Sequence, residues 1–434
     1  MKRSLSLVVV LMTVLGLLAG GAYAEDKPYA GQEITFWMQK YGNDPDRQAK
    51  MLDQMTAEFL ELTGITVNYS LIDWGQANTK YTLAVTGGDA PDVADTFWGY
   101  SWAAIGGDEY GPMSIDDVVE EIGTDGFFAF ALPECHFAGH WRALPWRGDT
   151  RFATYNTAMF EEAGVAEFPK TFDELIEVGK KLTTFDANGE VDRAGFVINQ
   201  ANSRFDHGFF TLLAGFGGAL MNEDYTAYTI DTEEVRNTLQ FMQDCLYVHK
   251  IFPMTVLDPT HRSDDSFLTG KAAIVLGNTI EMPGNLERNA PQIGEVSMSA
   301  VMPSLTGEGL SSIAFSAPVC VFGSTKFPEA SKEWLKFFCN TENQIIAMNE
   351  LSLVSVWKDV LNDESFDNHW YKTVLAQNER AQPGDMPTAS FSQVDAFPTG
   401  PINDMCNAVM AGGDVAEATA RCQAEIEEIM LSLQ

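Results

Sequence analysis

Positive charge is scarce in this sequence: 27 Lys and Arg stand against 61 Asp and Glu in 434 residues, a formal net charge of −34. Such a chain has no clustered cations to neutralise phosphates, which excludes nucleic acid and anionic membrane surfaces as partners. Cysteine is sparse too. The six present, at 135, 245, 320, 339, 406 and 422, include no C-x-x-C pair, so neither a zinc knuckle nor a thioredoxin-type centre is encoded. Nor does the chain carry a G-x-S-x-G, Walker A, H-E-x-x-H or G-x-G-x-x-G signature. Without short repeats or a low-complexity linker, its domains are expected to be joined by crossing strands and not by a tether. A hydrophobic content of 45% is too high for a disordered chain.

One long apolar run exists, from Leu5 to Leu18, behind Lys2 and Arg3 and ahead of Ala22-Tyr23-Ala24. That order reads as a secretory signal peptide, residues 1–24, cleaved after Ala24. The run is shorter than the ~20 apolar residues of a membrane span. Glu25 follows, and no cysteine precedes Cys135. The mature chain is therefore expected in the periplasm as a soluble monomer, not membrane-spanning and without a lipid anchor. At ~150 residues per domain it has room for two or three. Cys406 and Cys422, flanking Gly412-Gly413, are the candidate disulfide of an oxidising compartment, with buried free thiols the alternative.

Periodicity gives a strand over 33–38, then a helix capped by Asp44 with Pro45 at its first position and ended by Gly64. Alternation over 66–72 gives a second strand, a helix ending at Gly87-Gly88 follows, and 91–97 reads as a third strand. Strand, helix, strand, helix, strand defines an α/β sheet with parallel neighbours. Thr171 to Glu174 forms a capping box, and Asp231 to Glu234 opens another helix. Short buried strands are expected over 272–276 and 312–322, with helices after Pro328 and from Val415 to Leu433. Two further stretches have metal-ligand residue types. Glu134-Cys135-His136 with His140 reads as a hairpin entering a strand, and Asp186 to Asp192 lacks the bidentate Glu of a calcium loop and reads as a turn on Asn188-Gly189.

Several segments in order resemble the extracellular solute-binding proteins of type 1, the sugar-binding subunits of ABC importers that include the maltose-binding protein. They are Thr63 to Asn68 with Gly87 to Val93; Ala143 to Arg151 leading into Tyr155-Asn156; Phe160 to Gly164 with Pro169 to Leu175; and Phe267 to Ile274, followed by Gly277 and Met302-Pro303. The resemblance implies a two-lobed α/β periplasmic-binding-protein fold, with parallel-dominated sheets flanked by helices and lobes joined by crossing strands. Residues 25–149 plus 313–355 would form the N-terminal lobe, and 150–312 plus 356–434 the C-terminal lobe. It also implies a mono- or oligosaccharide bound between the lobes and delivered to the permease subunits of an ABC transporter. No catalysis, cofactor or metal is implied.

Sugar recognition needs hydrogen-bonding groups for hydroxyls and aromatic plates for C–H faces. After the first strand come Gln39 and Tyr41, after the second Trp74, and after the third Trp98, Tyr100 and Trp102. By the resemblance, Asp149 sits at the crossover and accepts sugar hydroxyls, Arg151 holds Asp149 or touches ligand, and Asn278 and Phe391 contribute from the second lobe. Three arginines within ten residues, Arg142, Arg147 and Arg151, leave an anionic sugar derivative open as the ligand. A glycan-active enzyme is the remaining alternative, to which composition lends nothing, since among 61 acidic residues some pair always lies near the required spacing.

Overall fold

The structure is a computed structural model that describes residues 27–41, 44–96, 99–200, 203–396 and 398–433. The signal-peptide reading and Trp98 lie outside the described residues. Glu33–Gln39 forms the first strand, with Ile34, Phe36 and Met38 buried on its inward face. The helix Pro45–Thr63 starts where the Asp44 carboxylate accepts from the amides of Asp46 and Arg47. It ends at Gly64, whose φ of 76° puts it in the left-handed region where a side chain is costly.

Seven strands make the larger sheet, in the order Val354–Ser355, Leu144–Thr150, Ser312–Val321, Val93–Asp95, Glu33–Gln39, Thr66–Ile72, with Ala381–Pro383 beside Ser312–Val321. The smaller sheet has four, in the order Val197–Ile198, Ile274–Asn278, Phe152–Asn156, Ser297–Ala300. Chain passes from one sheet to the other at Arg151, between Leu144–Thr150 and Phe152–Asn156. The sheets are mixed, not parallel-dominated. Glu33–Gln39 pairs in parallel with both its neighbours, but Ser312–Val321 runs antiparallel to Val93–Asp95 and to Leu144–Thr150. Parallel neighbours need a covering crossover helix, which the first three strands have; a strand returning from the other lobe enters antiparallel without one.

Each sheet has its own core. Trp334, fully buried, meets Phe36 and Phe59 edge-on at ring distances of 5.5 and 5.2 Å in the first lobe. In the second, Phe172 stacks on Phe216 at 4.2 Å beneath the helix Phe172–Leu182. That helix has the expected capping box: Thr171 Oγ1 accepts from the Glu174 amide, and the Glu174 carboxylate accepts from the Thr171 amide. Thr171→Ala is expected to cost ~1 kcal/mol, read as a lower urea midpoint with an unchanged slope.

Two local readings change. The helix expected to open at Asp231 to Glu234 does so as Glu233–Tyr247, capped by Thr232, while Asp231 turns to Arg236 and accepts from Thr419 at 2.9 Å. The strand expected over 272–276 is Ile274–Asn278. Cys406 and Cys422 stand as free buried thiols on the paired helices Pro401–Met410 and Val415–Ser432, not as a disulfide. Asp186 does build a turn, its carboxylate accepting from the amides of Asn188 and Glu190, with Gly189 at φ 81°. His140 pairs through Nδ1 with Asp116 at 2.6 Å. Among the described residues no helix is long and apolar enough to cross a membrane, and no cluster of His, Cys and carboxylates is placed to hold a metal.

Candidate functional site

The first-lobe strands end at a polar wall. Gln48 ties down the turn after Glu33–Gln39 by donating to the Gln39 carbonyl at 2.8 Å and accepting from the Tyr41 amide at 2.9 Å. Beneath it lies Asp95, the last residue of the third strand, which accepts from the Gln39 amide at 2.9 Å and the Tyr41 hydroxyl at 2.6 Å. Burial pushes the Asp95 carboxyl up to about 7, against the lowering effect of those two bonds and of the Arg147 charge. Held this way, the Tyr41 ring meets Trp74 edge-on at 5.5 Å and Trp146 at 5.4 Å, with the Arg147 guanidinium 4.5 Å over its face. Trp74 donates its indole N–H to the Lys40 carbonyl at 2.6 Å and keeps 44% of its surface exposed.

Tyr41, Trp74, Arg147, Asp149 and Arg151 line a cavity of about 390 Å³ that Thr279 and Glu281 close from the second lobe. A neighbouring space of about 500 Å³ shares Tyr41, Ile280, Glu281 and Ser352 and is extended by Trp370 and Asn368. At the crossover the Arg151 guanidinium donates to Asp149 at 3.1 Å and lies 5.3 Å from the Phe315 ring. Asn278, paired with Phe152 at the end of its strand, is buried with neither amide atom partnered. His207 lies nearby, lowered to about 4 by burial and then by the Arg204 charge, so it is neutral at neutral pH.

The expected site residues thus separate. Tyr41, Trp74, Asp149 and Arg151 meet on one cavity wall. Gln39 does not reach it: fully buried, it serves Asp95 from within. Trp102 is also in the core, stacked on Tyr81 at 4.6 Å, because the helix Gly99–Tyr110 turns that face inward. Phe391 is buried in the apolar core of the second lobe with Met386 and Val394. Tyr100 is buried where the lobes meet, and its hydroxyl has no partner.

Sequence reasoning weighed Glu134 only as a metal-ligand type in a hairpin and missed the other carboxylates around Tyr100. Glu134 is 1% exposed, with Oε1 accepting from the Ser316 amide at 3.3 Å and Oε2 unpartnered. Burial raises its pKa well above the carboxylate range, and the Asp385 charge adds to this. Asp385 is raised to about 7 by burial and by Asp149. Asp395 is raised by burial and then by Asp206, though Arg204 reaches both, Asp206 at 2.6 Å and Asp395 at 3.6 Å. Asp95 had a sequence signal at a strand's carboxyl end; Glu134, on the turn Pro133–Cys135, Asp206, on the helix Phe205–Leu213, and Asp385 and Asp395 converge from separate segments.

Two α/β lobes with a polar cleft at their strand ends, entered from both sides, make the architecture of a ligand-binding protein that encloses its solute. The chain belongs to the bacterial extracellular solute-binding protein family, whose model matches residues 54–373. It is 27% identical over 200 residues to the diacetylchitobiose binding protein DasA of Streptomyces coelicolor, covering 46% of this chain and 44% of that one. To the maltotriose-binding protein of Pyrococcus abyssi it is 25% identical over 301 residues, 66% of this chain and 59% of that one. The matches span about half the length of these curated relatives. The sugar-binding protein MalE of Xanthomonas citri shares the fold with a TM-score of 0.77 at 16% identity, over 92% of this chain and 98% of that one. So does the cyclic alpha-maltosyl-1,6-maltose binding protein of Arthrobacter globiformis, with a TM-score of 0.74 at 18% identity, covering 92% and 99%.

Proposed function

We propose that this protein is the extracytoplasmic binding subunit of an ABC importer. It takes a mono- or oligosaccharide into the interlobe cleft and delivers it to the membrane permease, acting after removal of residues 1–24 and without chemical change to its cargo. The observation that carries the reading is the shared wall of Tyr41, Trp74, Asp149 and Arg151, where aromatic rings adjoin a carboxylate at the lobe crossover. Rings take sugar C–H faces and a carboxylate takes paired hydroxyls. The names of the relatives, which bind diacetylchitobiose and maltotriose, support a saccharide. The lobe boundaries at 149–151, 312–313 and 355–356 belong to the same proposal.

An anionic ligand draws less support, since each of the three arginines is engaged. Arg142 donates to the Pro112 carbonyl at 2.7 Å and pairs with Asp108 at 2.8 Å, Arg147 covers Tyr41, and Arg151 holds Asp149. A thermal-shift panel of neutral sugars and uronates, followed by mass spectrometry of the released ligand, tests this. A bound sugar at a hundredfold its Kd stabilises the fold by ~2.7 kcal/mol. A ligand recovered cleaved, or shifts with uronates alone, overturns the reading. Trp74→Ala is expected to remove ~1 to 2 kcal/mol of binding, about five- to thirtyfold in Kd by calorimetry, because one plate is lost while the hydroxyl acceptors stay.

A further inference from the structure

We propose that the seam formed by Glu134, Asp385 and Tyr100 is a recognition site for a protonated amine, so that the saccharide taken into this cleft carries an ammonium group. The inference rests on the saccharide reading above and narrows its substrate class.

Acids outnumber the cations available to them in the seam. Arg151 is committed to Asp149 and Arg204 to Asp206 and Asp395. Glu134 and Asp385 have no ion pair among the described residues, and no hydrogen bond reaches the Asp385 carboxylate. The Arg147 charge offsets Glu134 in part, from its place over Tyr41. Both carboxylates are more than nine-tenths buried. They are also fixed to one strand: the Ser316 amide donates to Glu134, while the Gly384 amide, one residue before Asp385, donates to the Ala314 carbonyl at 2.9 Å. The two groups therefore gather about Phe315, beside the crossover.

Buried carboxylates without a cation are costly, and structures keep them when a cation arrives from outside or a proton is shared. The Tyr100 hydroxyl, 4% exposed and unpartnered, is held protonated by burial first and then by the charges of Asp385 and Glu134. Glu134 Oε2, the Asp385 carboxylate and the Tyr100 oxygen supply three acceptors, and an ammonium has three N–H donors and no acceptor. Burial keeps both carboxyls drawn toward the protonated form while the seam is empty; an arriving ammonium favours their charged, accepting form, which a sugar hydroxyl does not. The seam lies between two cavities without lining either: Pro133 and Pro387, each close in sequence to one carboxylate, line an outer one of about 570 Å³, and Asp149, whose charge reaches Asp385, lines the inner one, so an ammonium enters when the lobes part.

Calorimetry with matched probes tests this: glucosamine, glucose and N-acetylglucosamine, with their β-1,4-linked disaccharides, at about pH 6 where the amine is protonated. The amine form is expected to bind at least about tenfold tighter than the hydroxyl and acetylated forms of the same size. Glu134→Gln with Asp385→Asn is expected to bring the three within about twofold of one another, chiefly through loss of affinity for the amine form. The amides keep the shape of the two carboxyls, and Tyr100→Phe, which keeps the ring, provides a second variant with a smaller loss of amine preference. Equal binding of all three forms by the wild type, or an amine preference that survives the double variant, overturns the inference and leaves the saccharide reading intact. No binding by any form overturns the inference, and the saccharide reading then stands or falls on the wider sugar panel.

Discussion

Asp149→Asn is expected to weaken saccharide binding some thirtyfold to a thousandfold. The carboxylate stands on the cavity wall at the crossover, half free of its partner: one oxygen accepts from Arg151 at 3.1 Å, and a quarter of the side chain is exposed. A charged acceptor bonding two hydroxyls contributes ~2 to 4 kcal/mol, which is the stated range of Kd. Asparagine keeps the shape, removes the charge and turns one acceptor into a donor. Stability of the unliganded protein should move little, since a partly exposed pair is worth at most ~1 kcal/mol. Arg151→Met separates the roles. If Arg151 only steadies Asp149, its loss weakens binding less than that of Asp149, as calorimetry on both variants will measure. Wild-type affinity in Asp149→Asn together with abolished binding in Arg151→Met makes the ligand an anion.

What the chain declares locally, the structure repeats. Asp44 and Pro45 announce a helix start because capping and a fixed φ act within one turn, and the helix Pro45–Thr63 begins there. The alternation in Thr66–Ile72 likewise survives as a strand. Asp149 and Arg151 were legible because the crossover is contiguous in sequence. Failure sets in where a side chain's fate depends on a distant partner. Trp102 follows the third strand much as Trp74 follows the second, yet one is stacked on Tyr81 in the core and the other half-exposed on the cleft. Nothing in either residue's neighbours decides between them; the turn of the helix Gly99–Tyr110 does. Asp385 and Asp395, and the burial of Glu134, were illegible for the same reason. Each looks like one more acid in an acidic chain until the fold withdraws it from water.

Asp95 shows what that withdrawal does to stability. Its folded carboxyl titrates at about 7, against an ordinary 3.8, chiefly through burial. Between those two values the unfolded chain has released the proton and the folded chain still holds it, so stability falls as pH rises through that window and levels off above about pH 7. A rise of this size corresponds to ~4 kcal/mol. Asp95→Asn carries no charge to bury, and its carbonyl can accept from the Gln39 amide while its N–H₂ donates to the Tyr41 oxygen. Variant and wild type are therefore expected to match near pH 4, with the variant gaining up to ~4 kcal/mol by about pH 8 in urea unfolding. Every other acid titrates in both proteins, so the difference between the two curves isolates this residue. Parallel curves over that range would show that Asp95 is ionised in the folded protein throughout. Saccharide affinity should survive the substitution, because Tyr41 stays held between Trp74, Trp146 and Arg147. A variant that is more stable yet no longer binds would mean instead that the Asp95 charge, acting through the Tyr41 hydroxyl, sets the geometry of the cleft wall.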